Sequence, residues 1–150
     1  MGFRWAKFFS LLAIVLVCEG CGKEAPPPIM PAQGIVVLRG RPLPKAQVRF
    51  IPNIDYGAAY IATAVTDDSG RFTLECDGQS GACVGENKVT VSEADIPKEL
   101  QSENAQRELI AYKRSLRNRP IPKTYASPVS TPLKVTVAEG QTEHKLELSN

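Results

Sequence analysis

Asp67-Asp68-Ser69-Gly70-Arg71-Phe72-Thr73-Leu74-Glu75-Cys76 sets a turn directly in front of a strand. The Asp, Ser and Gly side of this stretch carries the residues that bond their own backbone or tolerate positive φ, which is turn chemistry. Phe72, Leu74 and Cys76 then alternate with Arg71, Thr73 and Glu75. A period of two gives one apolar and one polar face, as a half-buried β-strand requires. The same signature recurs on both sides. Ile35 to Leu38 is a continuous apolar run, suited to a strand covered on both faces, and Ala46, Val48 and Phe50 alternate with Gln47 and Arg49. Ile61, Thr63 and Val65 make a further face, and downstream come Val89 and Val91, then Leu133, Val135 and Val137, then Leu146 and Leu148. Gly40-Arg41-Pro42-Leu43-Pro44 and Glu139-Gly140 supply further turns between the runs. Seven short antiparallel strands in about 115 residues predict a mainly β domain over residues 33–150, built as a sandwich.

One stretch departs from this pattern. Ala105, Leu109, Tyr112 and Leu116 recur at helical spacing and predict an amphipathic helix near 103–117, inserted between the fifth and sixth strands and stopped by Pro120 and Pro122. Around it Arg107, Lys113, Arg114, Arg117, Arg119 and Lys123 stand against the single acid Glu108, a basic strip expected to turn outward while the apolar face docks on the sandwich, either as a solvated face that keeps the domain soluble or as a surface that orients it against lipid or another anionic envelope polymer.

Upstream of the strands the chain has a different character. Arg4 and Lys7 precede an apolar run from Phe8 to Val17, broken only by Ser10. Ten helical residues rise about 15 Å, about half of a ~30 Å hydrocarbon core, so residues 1–20 read as a signal peptide rather than a membrane span. The end of this segment resembles a bacterial lipobox: Gly20 stands before Cys21 as that motif prefers, although Cys18 and Glu19 are unusual neighbours. The alternative register, Val15-Leu16-Val17-Cys18, has fitting aliphatics but a large residue before Cys18. Cys21 is therefore the expected lipidation site, with Cys18 as the alternative. Residues 21–32 then form a tether in which Pro26, Pro27, Pro28 and Pro31 favour an extended conformation. The resemblance implies a chain anchored to a cell membrane or outer membrane and exposed to periplasm or exterior.

The strand region carries a second resemblance. Gly34-Ile35-Val36 with the run from Gly40 to Pro52, then Thr66 to Leu74, then Gly85-Glu86-Asn87-Lys88-Val89-Thr90-Val91 resemble, in order, three signatures of carboxypeptidase regulatory-like domains. Asn87 stands where that family usually has Tyr. Ile121-Pro122-Lys123-Thr124-Tyr125, Ser127-Pro128 and Thr131-Pro132-Leu133 resemble the closing segment of bacterial lipoproteins of the family. The resemblance implies a seven-stranded Greek-key sandwich, transthyretin-like or Ig-like, and says little about activity, since a fold hosts functions without defining them.

Candidate chemistry is sparse. Net charge is +2, and without residues 1–20 the balance is 16 basic against 15 acidic side chains, too even for nucleic-acid binding by bulk charge. His144 is the single histidine, which excludes a multi-histidine metal site, and it is expected as an exposed or strand-end side chain. Gly78-Gln79-Ser80-Gly81-Ala82 approaches a nucleophile elbow but joins two strands, so it reads as a flexible hairpin loop. Asp67, Asp68 and Ser69 lack the further carboxylates of a calcium loop. A hydrolase of transthyretin-like fold relies on several histidines and a terminal Tyr-Arg-Gly-Ser motif, whereas this sequence ends Glu147-Leu148-Ser149-Asn150. Cys76 and Cys83 flank six residues between two strands, and in an oxidising compartment they are expected to form a disulfide. No catalytic residue, cofactor or metal is expected. The expected role is a non-enzymatic accessory, adhesion or interaction module contacting the membrane through its lipid and an envelope protein or polysaccharide. A small-ligand or glycan-binding domain is the alternative.

Overall fold

Alternation along the chain becomes burial in the computed structural model, which describes residues 25–149. In chain order its strands are β1 (Ile29–Met30), β2 (Gln33–Leu38), β3 (Arg41–Pro42), β4 (Ala46–Pro52), β5 (Ala62–Val65), β6 (Arg71–Thr73), β7 (Glu75–Cys76), β8 (Gln79–Ser80), β9 (Ala82–Cys83), β10 (Gly85–Glu93), β11 (Lys134–Val137) and β12 (Glu143–Leu148). One α-helix, α1 (Gln106–Ser115), lies between β10 and β11. The domain is mainly β, and each run expected as a strand falls on one or two of these segments.

One sheet has the order β11-β10-β4-β5-β7-β8 and is antiparallel throughout. In the second, β2 pairs with β12 along one edge and with β3 and β6 along the other. The β2–β12 pair is parallel, with Glu143 opposite Gln33 and Leu148 opposite Leu38, so the expectation of a purely antiparallel arrangement is corrected here. Between β6 and β7 the chain leaves the second sheet for the first at Leu74, whose N–H donates to the Ala32 carbonyl and whose carbonyl accepts from Gly81. Side chains of both sheets meet in one core, as in a β-sandwich: Val48, Phe50, Val89 and Val91 from the first, and Val36, Leu38, Phe72, Leu146 and Leu148 from the second. Within the second sheet Gly34 lies between β12 and β6, where a Cβ would run into the His144 carbonyl and the Phe72 ring.

Three further expectations change. First, Ala62 and Ala64, not Ile61, Thr63 and Val65, face inward, and Val65 is 56% exposed. Directly opposed residues of an antiparallel pair share a face, and β5 lies with Ala62 opposite Phe50 and Ala64 opposite Val48. The small residues lie beside the large ones. Second, the ordered domain begins before residue 33. β1 pairs with β9, the Val84 N–H donates to Pro28, and Ala32 belongs to the core. Third, the helix is shorter than residues 103–117, and Glu103–Ala105 forms a preceding 3-10 turn. Leu109, Tyr112 and Leu116 are only half-buried, and α1 packs mainly on residues 98–105 rather than on a sheet.

Candidate functional site

The long β4–β10 pair gives the domain two poles. Ala46 lies opposite Glu93 at one, and Pro52 lies opposite Asn87 at the other. The chain enters at the second pole, where Pro28 meets Val84 and where Pro52, Ile54, Tyr56 and Val84 share a small cleft. The helix sits at the first. Its attachment is polar: Asn118, with a φ of 61° that asparagine tolerates, donates from Nδ2 to Leu38 at 2.8 Å and Arg41 at 3.0 Å. Arg119 donates to Glu93 at 2.8 Å, to its neighbour Arg117 at 2.8 Å, and across the gap to Pro44 at 2.8 Å and Lys45 at 3.2 Å. Lys45 Nζ lies 5.8 Å from the centre of the Tyr112 ring. Together these contacts clamp the segment after α1 to the turns around β3.

Arg119 therefore leaves the expected outward strip. Its guanidinium is spent on structure, and the five remaining basic residues, Arg107, Lys113, Arg114, Arg117 and Lys123, are exposed. Ile110, 49% exposed, lies among them on α1. Two clefts open at this pole. One of about 320 Å³ is lined by Arg41, Pro42, Pro44, Asp68, Arg117 and Asn118. The other, about 640 Å³, runs between the end of β10 and α1, past Glu93, Ile96, Tyr112 and Leu116.

His144 is buried, not exposed: its residue is 6% accessible, its ring meets Phe50 edge-on at 5.8 Å, and its Nε2 has no partner among the described residues. Burial holds its pKa below the ordinary imidazole value, against a smaller opposing pull from Glu143. Asn87, fully buried, donates to the Cys83 and Gly85 carbonyls at 2.9 Å each and fixes the entry to β10. Tyr125 Oη is bonded to the Ser149 backbone through both N–H and C=O and ties down the C-terminal strand. Asp67 Oδ1 accepts from the Ser69 and Arg71 N–H groups, so the acidic turn uses this oxygen for its own backbone.

Cys76 and Cys83 are brought together and buried, and in this structure both are free thiols. Burial pushes the Cys76 thiol up to about 12, with the neighbouring Cys83 as the next cause, and burial raises Cys83 as well. Residues 78–82 are not a loose loop either: Gln79–Ser80 pairs with β7 and Gly81 packs under the Met30 carbonyl. Ser80 has no histidine partner there, and among the described residues no three His, Cys, Asp or Glu side chains group as a metal site. Cys21 and Cys18 lie outside the described residues. No helix among the described residues is long and apolar enough to cross a membrane. No family model, curated protein or solved structure matches the chain.

Proposed function

We propose that this chain is an envelope lipoprotein, lipidated at Cys21, whose Greek-key sandwich of carboxypeptidase regulatory-like type is a non-enzymatic interaction module held at a membrane surface exposed to periplasm or exterior. The carrying observation is that the packed domain begins at Pro28, only a few residues beyond the Gly20-Cys21 motif, and that the chain enters it at the pole opposite the basic helix. A short spacer from a lipidated cysteine would seat the entry pole near the bilayer and present the helix pole to an envelope protein or polysaccharide. The hydrolase reading lacks support, since the single histidine is buried against Phe50. The clefts beside α1 favour the second reading, a small-ligand or glycan binder, because such sites are concave and of about 300–1,000 Å³.

Mass spectrometry of the membrane fraction tests the anchor. The expected N-terminus is a lipid-modified Cys21, and Cys21→Ser is expected to shift the protein out of the membrane fraction. A chain that retains Met1 and is soluble in the cytosol would overturn the reading.

A further inference from the structure

We propose that the cleft between β3 and the segment after α1 is a binding site for a phosphate-type oxyanion, held by Arg41 and Arg117. The two arginines come from separate parts of the chain and line one cleft of about 320 Å³. Both are exposed, and neither side chain makes an ion pair or hydrogen bond among the described residues, so both guanidinium forks are free for a ligand. Planar forks of this kind match the oxygens of phosphate in a way that a lysine point charge does not.

The charge balance favours a dianion. Asp68 is the one acid lining the cleft, and Lys45 already neutralises it at 3.1 Å. The two arginines are thus left as a surplus of two positive charges. The walls are stiff as well. Pro42 and Pro44 have fixed φ, Asn118 ties the Arg117 side of the cleft to Leu38 and Arg41, and Arg119 ties it to Pro44 and Lys45. Clamping both arms before a ligand arrives reduces the entropy lost on binding. A merely solubilising charge pair would not need this backbone support.

Titration of the full chain in uncharged detergent with inorganic phosphate, monitored by NMR of the arginine Nε–H groups, tests the site. Saturable shifts are expected at Arg41 and Arg117. Arg41→Gln and Arg117→Gln should each weaken binding about tenfold, the scale of one charge-assisted contact, while Arg107→Gln on α1 leaves it unchanged. Both substitutions lie on exposed side chains, and circular dichroism of each variant checks that the fold survives. Absence of saturable binding, or equal affinity in all three variants, overturns the proposal. Soluble polyphosphate and phosphatidylglycerol vesicles then identify the source of the phosphate: the arm whose binding is lost in the Arg41 and Arg117 variants carries the ligand. The test does not depend on the membrane anchor, so its outcome is separate from that of the lipidation experiment.

Discussion

His144 occupies a position where strand alternation calls for an apolar residue. Along β12, His144, Leu146 and Leu148 are buried while Glu143, Lys145 and Glu147 are exposed. Extending the Leu146 and Leu148 period by one step would have placed His144 inside, but its polar chemistry argues for the surface, and the two signals conflict. The alternation wins because β12 lies in register against β2. The consequence is a pH-dependent stability. The folded imidazole has a lowered pKa, so the unfolded chain takes up the proton first as pH falls through about 6.5, the ordinary value. The unfolded state then binds more protons than the native one, and stability falls with decreasing pH in the interval between the ordinary and the folded pKa. The thermal midpoint is expected to drop from pH 7 to pH 5 in the native protein and to drop less in His144→Phe, which keeps an aromatic ring beside Phe50. Parallel midpoint curves for the two proteins would show that His144 is not the titrating group. Ile61, Thr63 and Val65 mislead for a related reason. They are the larger and more β-prone residues, yet Phe50 fills the core opposite β5, so the alanines turn inward. Single-strand composition carries no information about the partner strand's bulk.

The β7–β9 region carries a signal, at the scale of an element, that the reading of residues 78–82 as a flexible loop passes over. Asp77-Gly78 is among the strongest two-residue hairpin signals, and both residues have positive φ, 49° and 72°. The hairpin it makes seats β9 against β1 and places Cys83 beside Cys76. That the two cysteines lie side by side was readable from their spacing, but their redox state was not, because it depends on an oxidant outside the chain. Both thiols are protonated at neutral pH, since burial raises both, and the thiolate is the reactive form. Alkylation of the native reduced protein should therefore be slow and should speed up on unfolding. If the chain is exported, the two thiols can, before the hairpin is buried, pass two electrons and two protons to the disulfide of an envelope thiol oxidoreductase, which leaves as the dithiol. The expected product is a Cys76–Cys83 disulfide in protein recovered from the envelope. Closing so short a loop stabilises the fold by about 2–2.5 kcal/mol, so reduction should lower the thermal midpoint without abolishing folding. Recovery of both free thiols by peptide mapping under non-reducing conditions would refute the bridge. Helix α1 was legible in place and type, but its depth of burial was not. Its apolar spacing is that of a docked helix, yet its neighbours are the short turns of residues 98–105.

At the scale of the molecule, the separation of the two poles decides how the domain can stand on a membrane. β4 spans its seven residues between them, about 23 Å at ~3.3 Å per residue. The entry pole carries Ile54, 51% exposed, and the edge-to-face pair Tyr56 and Tyr60, with ring centres 6.2 Å apart. Tyrosine at a membrane surface can place its ring among the headgroups and keep its hydroxyl wet, whereas the helix pole offers arginines and lysines. The sequence pointed to a basic strip and a proline-rich entry but not to their relation, since residues 28 and 118 reach opposite ends of the β4–β10 pair only through the sheet register. If Cys21 carries the anchor, the short spacer brings the Tyr56 and Ile54 surface toward the lipid and holds the Arg117 surface away from it. A fluorophore placed at residue 54 or residue 110 of the lipidated protein in vesicles, with a quencher attached to the lipid headgroups, measures this directly. Strong quenching is expected at residue 54 and weak quenching at residue 110, with a height difference of roughly 20 Å, close to the length of β4. The reverse order would mean that the basic helix lies on the bilayer, and the anionic partner at that pole would then be the membrane itself.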